Sequence, residues 1–200
     1  MSGSPTEKRR QCPHCERPMK VCLCAHITPL HHHLPVQILI HPSELNAAKG
    51  TAKLTEKVLD HCQLWPGESA DDLAPLRQHL ADVPAFLLYP DEQAQPVETA
   101  TLPPHSQLLV LDGTWRKTHK ILQLNPWLQA LPKLSFHTAP QGNYQIRKAH
   151  REDSLSTLEA IAYALEQLEG CDPSPLYHAF EALKQSQLAH MPAEVRTRYR

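Results

Sequence analysis

The stretch LLVLDGTWRKTHKIL, residues 108–122, decides the fold class. Leu108-Leu109-Val110-Leu111 is a short apolar run without polar alternation, the pattern of a strand buried on both faces. The run stops at Asp112, Gly113 marks a turn, and a basic segment with helical spacing follows from about Thr114. Strand, tight turn and helix in that order make the unit from which parallel sheets are built.

Reading outward, Val36-Gln37-Ile38-Leu39-Ile40 is a first strand ending at His41-Pro42, and Ala85-Phe86-Leu87-Leu88-Tyr89 is a second, stopped by Pro90. Leu134-Ser135-Phe136-His137 is a short further candidate. Residues 51–62 read as a helix, because Leu54, Val58, Leu59 and Cys62 recur at helical spacing. Residues 90–107, rich in Pro, Gln and Glu, read as an irregular connection. Leu158, Ile161, Ala162, Leu165 and Leu168 form an amphipathic face, and Ser156 with Glu159 spells a capping box at its start. A last helix runs over residues 174–189. The implied architecture is α/β, a mostly parallel sheet with helices on both faces. Ligands in such sheets sit beyond the carboxyl ends of the strands. Tyr89-Pro90 and Asp112-Gly113-Thr114-Trp115 therefore share one functional edge.

Two hundred residues suffice for one such domain plus a small appendage, and a net charge of −1 neither favours nor excludes a nucleic-acid partner. Basic surface must be local: Lys8-Arg9-Arg10, Arg116-Lys117 with Lys120, Arg147-Lys148 with Arg151, and the 196–200 tail. No apolar run reaches the ~18–20 residues needed to span a bilayer. The N-terminus lacks the apolar core of a signal peptide, so a cytoplasmic protein is expected. Nothing signals an oligomer, which favours a monomer.

Six cysteines in that compartment are poor candidates for structural disulfides. Cys12, Cys15, Cys22 and Cys24 follow a C-x2-C-x6-C-x-C spacing, which suits a tetrahedral structural Zn2+ site. Metal binding supplies the folding energy that a segment with so few apolar residues lacks. The chain then divides into a disordered 1–11, a four-cysteine zinc-binding knuckle over 12–26 and the α/β domain over 27–200. His31-His32-His33 reads as a linker, Cys62 as a residue on an apolar helix face, and Cys171 as an ordinary residue beside Asp172-Pro173.

Asp112 has two readings. An Asp between a strand and a helix is a natural N-cap. A carboxylate there is also placed to act as a general base.

Several segments resemble the DTW-domain family of tRNA-uridine aminocarboxypropyltransferases. They are the Cys12/Cys15/Cys22/Cys24 knuckle, His41-Pro42-Ser43-Glu44, Thr51-Ala52-Lys53-Leu54, Leu87-Leu88-Tyr89-Pro90, Leu111-Asp112-Gly113-Thr114-Trp115, Tyr144-Gln145-Ile146-Arg147-Lys148 and Leu155-Ser156-Thr157-Leu158-Glu159-Ala160. They run from about residue 12 to 165 in family order. Gly50 departs from the family, which usually has Asn before that Thr, and the stretch holding Arg116 and Lys117 varies among relatives.

The resemblance implies transfer of the 3-amino-3-carboxypropyl group of S-adenosylmethionine to N3 of a tRNA uridine. It also implies a SPOUT-like fold with a C-terminal trefoil knot. On that footing Asp112 is the expected base, with Thr114 and Trp115 beside it as catalytic partners. Leu88, Tyr89, Pro90, Leu111, Asp112, Ser156 and Thr157 are expected at the cofactor, the last two through backbone N–H groups at a helix start. Arg116, Lys117, Arg147, Lys148 and Arg151 are expected to meet RNA. A free Asp near ~3.9 is a weak base, so the role calls for an environment that raises its basicity. The rival expectations are a SPOUT methyltransferase using the same cofactor on tRNA, and a non-catalytic zinc-containing RNA-binding protein.

Overall fold

The computed structural model describes residues 10–47, 50–138 and 155–189. Its strands are β1 (Val36–Ile40), β2 (Cys62–Pro66), β3 (Ala85–Leu88), β4 (Gln95–Pro96), β5 (Gln107–Asp112) and β6 (Lys133–Ser135). Its helices are α1 (Ala52–Val58), α2 (Ala74–His79), α3 (Trp115–Leu124), α4 (Pro126–Gln129), α5 (Thr157–Glu169) and α6 (Ser174–Ala189). The strands form one sheet in the order β2-β1-β5-β3-β6-β4, and every neighbouring pair is parallel.

Alternation along the buried strands splits the core in two, because successive side chains point to opposite faces. Val36, Ile38 and Ile40 of β1, with Leu108 and Val110 of β5, pack under α1, α5 and α6 through Leu54, Val58, Ile161, Leu165, Phe180 and Leu183. Leu39, Leu87 and Leu109 face the other way, onto Leu76 of α2, Ile121 and Leu122 of α3 and Leu128 of α4. The expected α/β class with both faces covered is what the chain adopts.

Two local readings need correction. The helix expected over 51–62 ends at Val58, because Leu59 turns extended (φ −84°, ψ 134°) and bridges Leu30. Cys62 then opens β2, in register with Val36, and burial pushes its thiol up to about 12. Pairing with β1 overrides the apolar spacing that had suggested a longer helix. The connection 90–107 also carries the short edge strand β4, paired with β6. The capping box is present as read: Ser156 accepts from Glu159 N–H, and the Glu159 carboxylate accepts from Ser156 N–H.

Residues 12–26 fold as a knuckle of short turns docked on the domain. Leu23 is buried in the core beneath α1 and α6, and Glu16 bridges Lys53 and Lys57 of α1 at 3.1 and 3.6 Å. Gln11 bridges Pro18 at the base of the knuckle, and residues 1–9 of the N-terminus expected to be disordered lie outside the described residues. The connection that would thread a C-terminal knot, 139–154, also lies outside them. Among the described residues no helix is long and apolar enough to cross a membrane.

Candidate active site and metal centre

All six strands run in parallel, so their carboxyl ends share one edge. β1 and β5 end side by side in register, Ile40 opposite Asp112, and His41 N–H donates to Asp112 O at 3.1 Å. Asp112 is only 4% exposed. It is not the helix cap. Thr114, two residues on, holds the N-cap conformation of α3 (φ −69°, ψ 154°), while Asp112 remains in the strand ladder.

The carboxylate finds its partner elsewhere: Thr157 Oγ1, at the first residue of α5, donates to Asp112 Oδ1. An anion at the start of a helix is stabilised by the unpaired N–H groups and dipole there. The start of α1 meets the same corner, since Thr51 Oγ1 accepts Leu158 N–H at 3.4 Å. The end of β5 and the start of α5 therefore meet at a buried carboxylate, and the start of α1 rests on the same turn of α5.

The residues that follow it are open to solvent. Trp115 is 58% exposed, so it does not pack on the sheet, and its ring meets Tyr89 edge-on at 6.1 Å. Thr114 is exposed and makes no side-chain capping bond. Tyr89, half-buried, and Pro90, exposed, leave the end of β3 beside them. Leu111 is half-buried against the α3 side of the sheet, whereas the Leu88 side chain belongs to the opposite core. A buried anion, two aromatic rings and an apolar shelf are chemically suited to a cationic, adenine-bearing ligand.

Three expected binding residues have other duties. The Ser156 N–H and hydroxyl are both used within the capping box, so that N–H is not offered to a ligand. Lys117 Nζ is bound to Ser43 Oγ at 2.7 Å and Glu44 Oε1 at 2.5 Å, not held out to solvent. Leu88 can serve a ligand only through its backbone, since its side chain is core. Arg116 stays exposed on α3. Arg147, Lys148 and Arg151 lie outside the described residues.

Sequence reasoning missed Glu68, which belongs to no motif and sits in a polar turn after β2. Its carboxylate meets His41 Nε2 at 3.0 Å and Lys120 Nζ at 2.8 Å. It also missed Glu98, which accepts the backbone N–H groups of His137 and Thr138 and the Tyr163 hydroxyl, fixing the exit of β6. An acid in a polar turn reads as solvated, so no local signal marks either one. At Gly50, an added Cβ would stand 3.1 Å from Ala47 O, a tight fit for the Asn usual at that position.

The Sγ atoms of Cys12, Cys15, Cys22 and Cys24 lie within 4.8 Å of one another. The Cys12–Cys24 and Cys15–Cys22 pairs stand 3.5 and 3.7 Å apart, too far for disulfides. Four thiolates at metal–sulfur bonds of ~2.3 Å on a tetrahedron lie about 3.8 Å apart, so the cluster fits such an ion. Backbone N–H groups of Cys15 and His14 aimed at Cys12 bring its thiol down to about 6, while the neighbouring thiols push Cys24 up to about 12 and Cys22 upward, as expected of sulfurs crowded together. These four residues can hold a metal ion.

The fold and its edge define an α/β protein with a buried carboxylate and an exposed indole at one strand exit, joined to a cysteine knuckle. The DTW domain matches residues 9–188, and the chain belongs to the DTW-domain family. It is similar to proteins named tRNA-uridine aminocarboxypropyltransferase 2. The Mus musculus relative is 31% identical over 195 residues, covering 92% of this chain and 65% of that protein. The Macaca fascicularis relative is 31% identical over 197 residues (93% and 66%), and the Drosophila melanogaster one 30% over 178 (84% and 70%). The chain thus spans about two thirds of the length of these relatives. No solved structure matches it significantly.

Proposed function

We propose that this protein transfers the 3-amino-3-carboxypropyl group of S-adenosylmethionine to N3 of a tRNA uridine, forming acp3U and releasing methylthioadenosine. The name shared by its relatives supports the reading. The structural observation that carries it is Asp112, a buried carboxylate at the end of an interior strand, with Trp115 open to solvent at the start of the next helix.

The sulfonium activates its three attached carbons alike, so the choice of the methionine-chain carbon is made by orientation. Uridine N3 holds an imide proton and is a poor nucleophile until that proton leaves. Asp112 takes the proton as N3 bonds to the carbon, and the carbon–sulfur pair departs with sulfur. A carboxylate and a sulfonium become an acid and a neutral thioether, so the step removes charge from the edge.

Thr157 holds the base through its hydroxyl. Trp115 stacks on the uracil, Tyr89 supports its ring, and Thr114 orients the bound groups. Tyr89, Pro90, Leu111 and the Leu88 backbone form the co-substrate side. An unpaired loop base is the natural target, since RNA is read mainly where bases are free. Arg116, with Arg147, Lys148 and Arg151, serves RNA phosphates. Zn2+ at Cys12, Cys15, Cys22 and Cys24 stabilises the knuckle, and residues 27–200 act as the catalytic domain. The reading includes a SPOUT-related sheet with a C-terminal knot, a cytoplasmic location and a monomer.

The test is incubation of purified protein with unmodified tRNA and S-adenosylmethionine, followed by mass spectrometry of the nucleosides. Formation of acp3U together with methylthioadenosine upholds the reading. A methylated base, or tRNA binding without product, overturns it.

A further inference from the structure

We propose that Glu68 is a positioning residue that orients α3, and through it Trp115, at the strand exit that holds Asp112. The proposal rests on the reading of Trp115 as the base-stacking group.

Every polar atom of Glu68 is engaged. Its N–H donates to Asp72 Oδ2 at 3.2 Å and its carbonyl accepts Asn125 Nδ2 at 2.9 Å. Oε1 meets His41 Nε2 at 3.0 Å and Oε2 accepts Lys120 Nζ at 2.8 Å. One residue in a turn thereby ties the exit of β1, the approach to α2 and the middle and C-terminal end of α3.

The imidazole is locked as well. His41 Nδ1 accepts the Ser43 N–H at 3.2 Å, which leaves Nε2 as the N–H that donates to Glu68. His41 is therefore a tether with both ring nitrogens in use. Lys117 and Lys120 are three residues apart and share one side of α3. Glu44, after β1, takes the first at 2.5 Å, and Glu68, after β2, takes the second at 2.8 Å. Asn125, fully buried, closes the far end by donating to both Ile121 O and Glu68 O. At ~100° per residue, a helix gripped at positions 117 and 120 presents position 115 on its opposite side. That is where Trp115 stands exposed.

An exposed ion pair alone fixes little. Here the carboxylate is tied to a histidine and its backbone to a buried amide, so the turn cannot shift without moving α3. Lys120 and His41 hold the Glu68 carboxyl below the usual carboxylate range, which keeps it charged at neutral pH.

The experiment is a double-mutant cycle of Glu68→Ala and Trp115→Ala, with kcat/KM for tRNA measured and folding of each variant checked by thermal melt. Glu68→Ala alone is expected to lower kcat/KM about tenfold, the scale of a slightly misplaced group. In the Trp115→Ala background it is expected to have no further effect. Losses that multiply in the double variant, or a folded Glu68→Ala protein with wild-type kcat/KM, overturn the proposal. Should Glu68→Ala not fold, Glu68→Gln keeps the shape without the charge and is put through the same cycle. Should the unmodified protein make no acp3U, the functional reading fails by itself. The four proteins are then titrated with tRNA, where non-additive affinities uphold the positioning role and additive ones overturn it.

Discussion

Thr157 Oγ1 donates to Asp112 Oδ1, joining the first turn of α5 to the last residue of β5 across 45 positions of sequence. Both residues are buried. Thr157→Val removes the donor with little change of shape and is expected to lower stability by about 1.5–3 kcal/mol, the worth of a hydrogen bond to a charged group. Turnover should fall with it, and Thr157→Ser should recover most of both. Urea unfolding and methylthioadenosine release measure the two effects; a Val variant matching wild type in each would show that the bond holds nothing.

Asp112 is not a cap, so Asp112→Asn separates its roles cleanly. Asn still accepts from Thr157 but cannot take a proton. The fold and tRNA affinity should persist while turnover drops by about 10²–10⁴, the range for a lost general base. An Asn variant that turns over like the parent would remove Asp112 from the chemistry.

Trp115→Ala should leave the urea midpoint near wild type, because an indole 58% exposed contributes little to the core. Its tRNA affinity should weaken by about 1–3 kcal/mol, the value of one base stacked on an aromatic ring. Binding assays at constant salt give the answer, and unchanged affinity would return Trp115 to a packing role beside Tyr89.

The knuckle is anchored in the core by Leu23 and on α1 by Glu16, so its metal and the domain should be linked. Protein purified under reducing conditions should carry stoichiometric zinc by elemental analysis and lose it on Cys22→Ser. Chelation should lower the melting temperature and expose four thiols to reagent. Metal-free protein with an unaltered melt would show that the cluster is not a structural site.

His32 sets a pH limit. It is buried, its ring nitrogens facing the Leu34 carbonyl at 2.9 Å and the His61 N–H at 3.2 Å, and burial holds its pKa below the ordinary histidine value. The Leu34 carbonyl, Glu169 and Asp60 pull the other way, while His61 adds to the depression. A base with a depressed folded pKa binds protons more readily when unfolded. The stability it contributes is complete above the unfolded value of ~6.5 and is lost as pH falls through the folded one. Urea midpoints should decline from pH 7.5 to 5.5 and decline less in His32→Gln; equal declines would mean other groups carry the acid sensitivity.

The spacing of the four knuckle cysteines, the strands around Ile38 and Leu109, the capping box and the last helix were all legible in the sequence. Each depends on neighbours a few residues away: ligand spacing, uniform apolarity, side-chain reach to the next turn. β2 was not legible. Cys62-Gln63-Leu64-Trp65-Pro66 is a half-exposed edge strand, mixed in polarity, that becomes a strand by pairing with β1. α2 and α4, six and four residues long, are too short to show a period.

The candidate site divides along the same line. The sequence by itself determined that an acid, a hydroxyl and an indole stand where an interior strand gives way to a helix, and that four cysteines are spaced to share an ion. Only the tertiary structure decided that Thr114 takes the cap, that Asp112 turns to Thr157, that Lys117 is spent on Glu44, and that Glu68 grips both α3 and His41. Backbone preference acts within a turn or two and is written locally. The partner of a buried charge comes from whichever distant segment the packing brings against it, and that is settled only when the sheet and its helices close together.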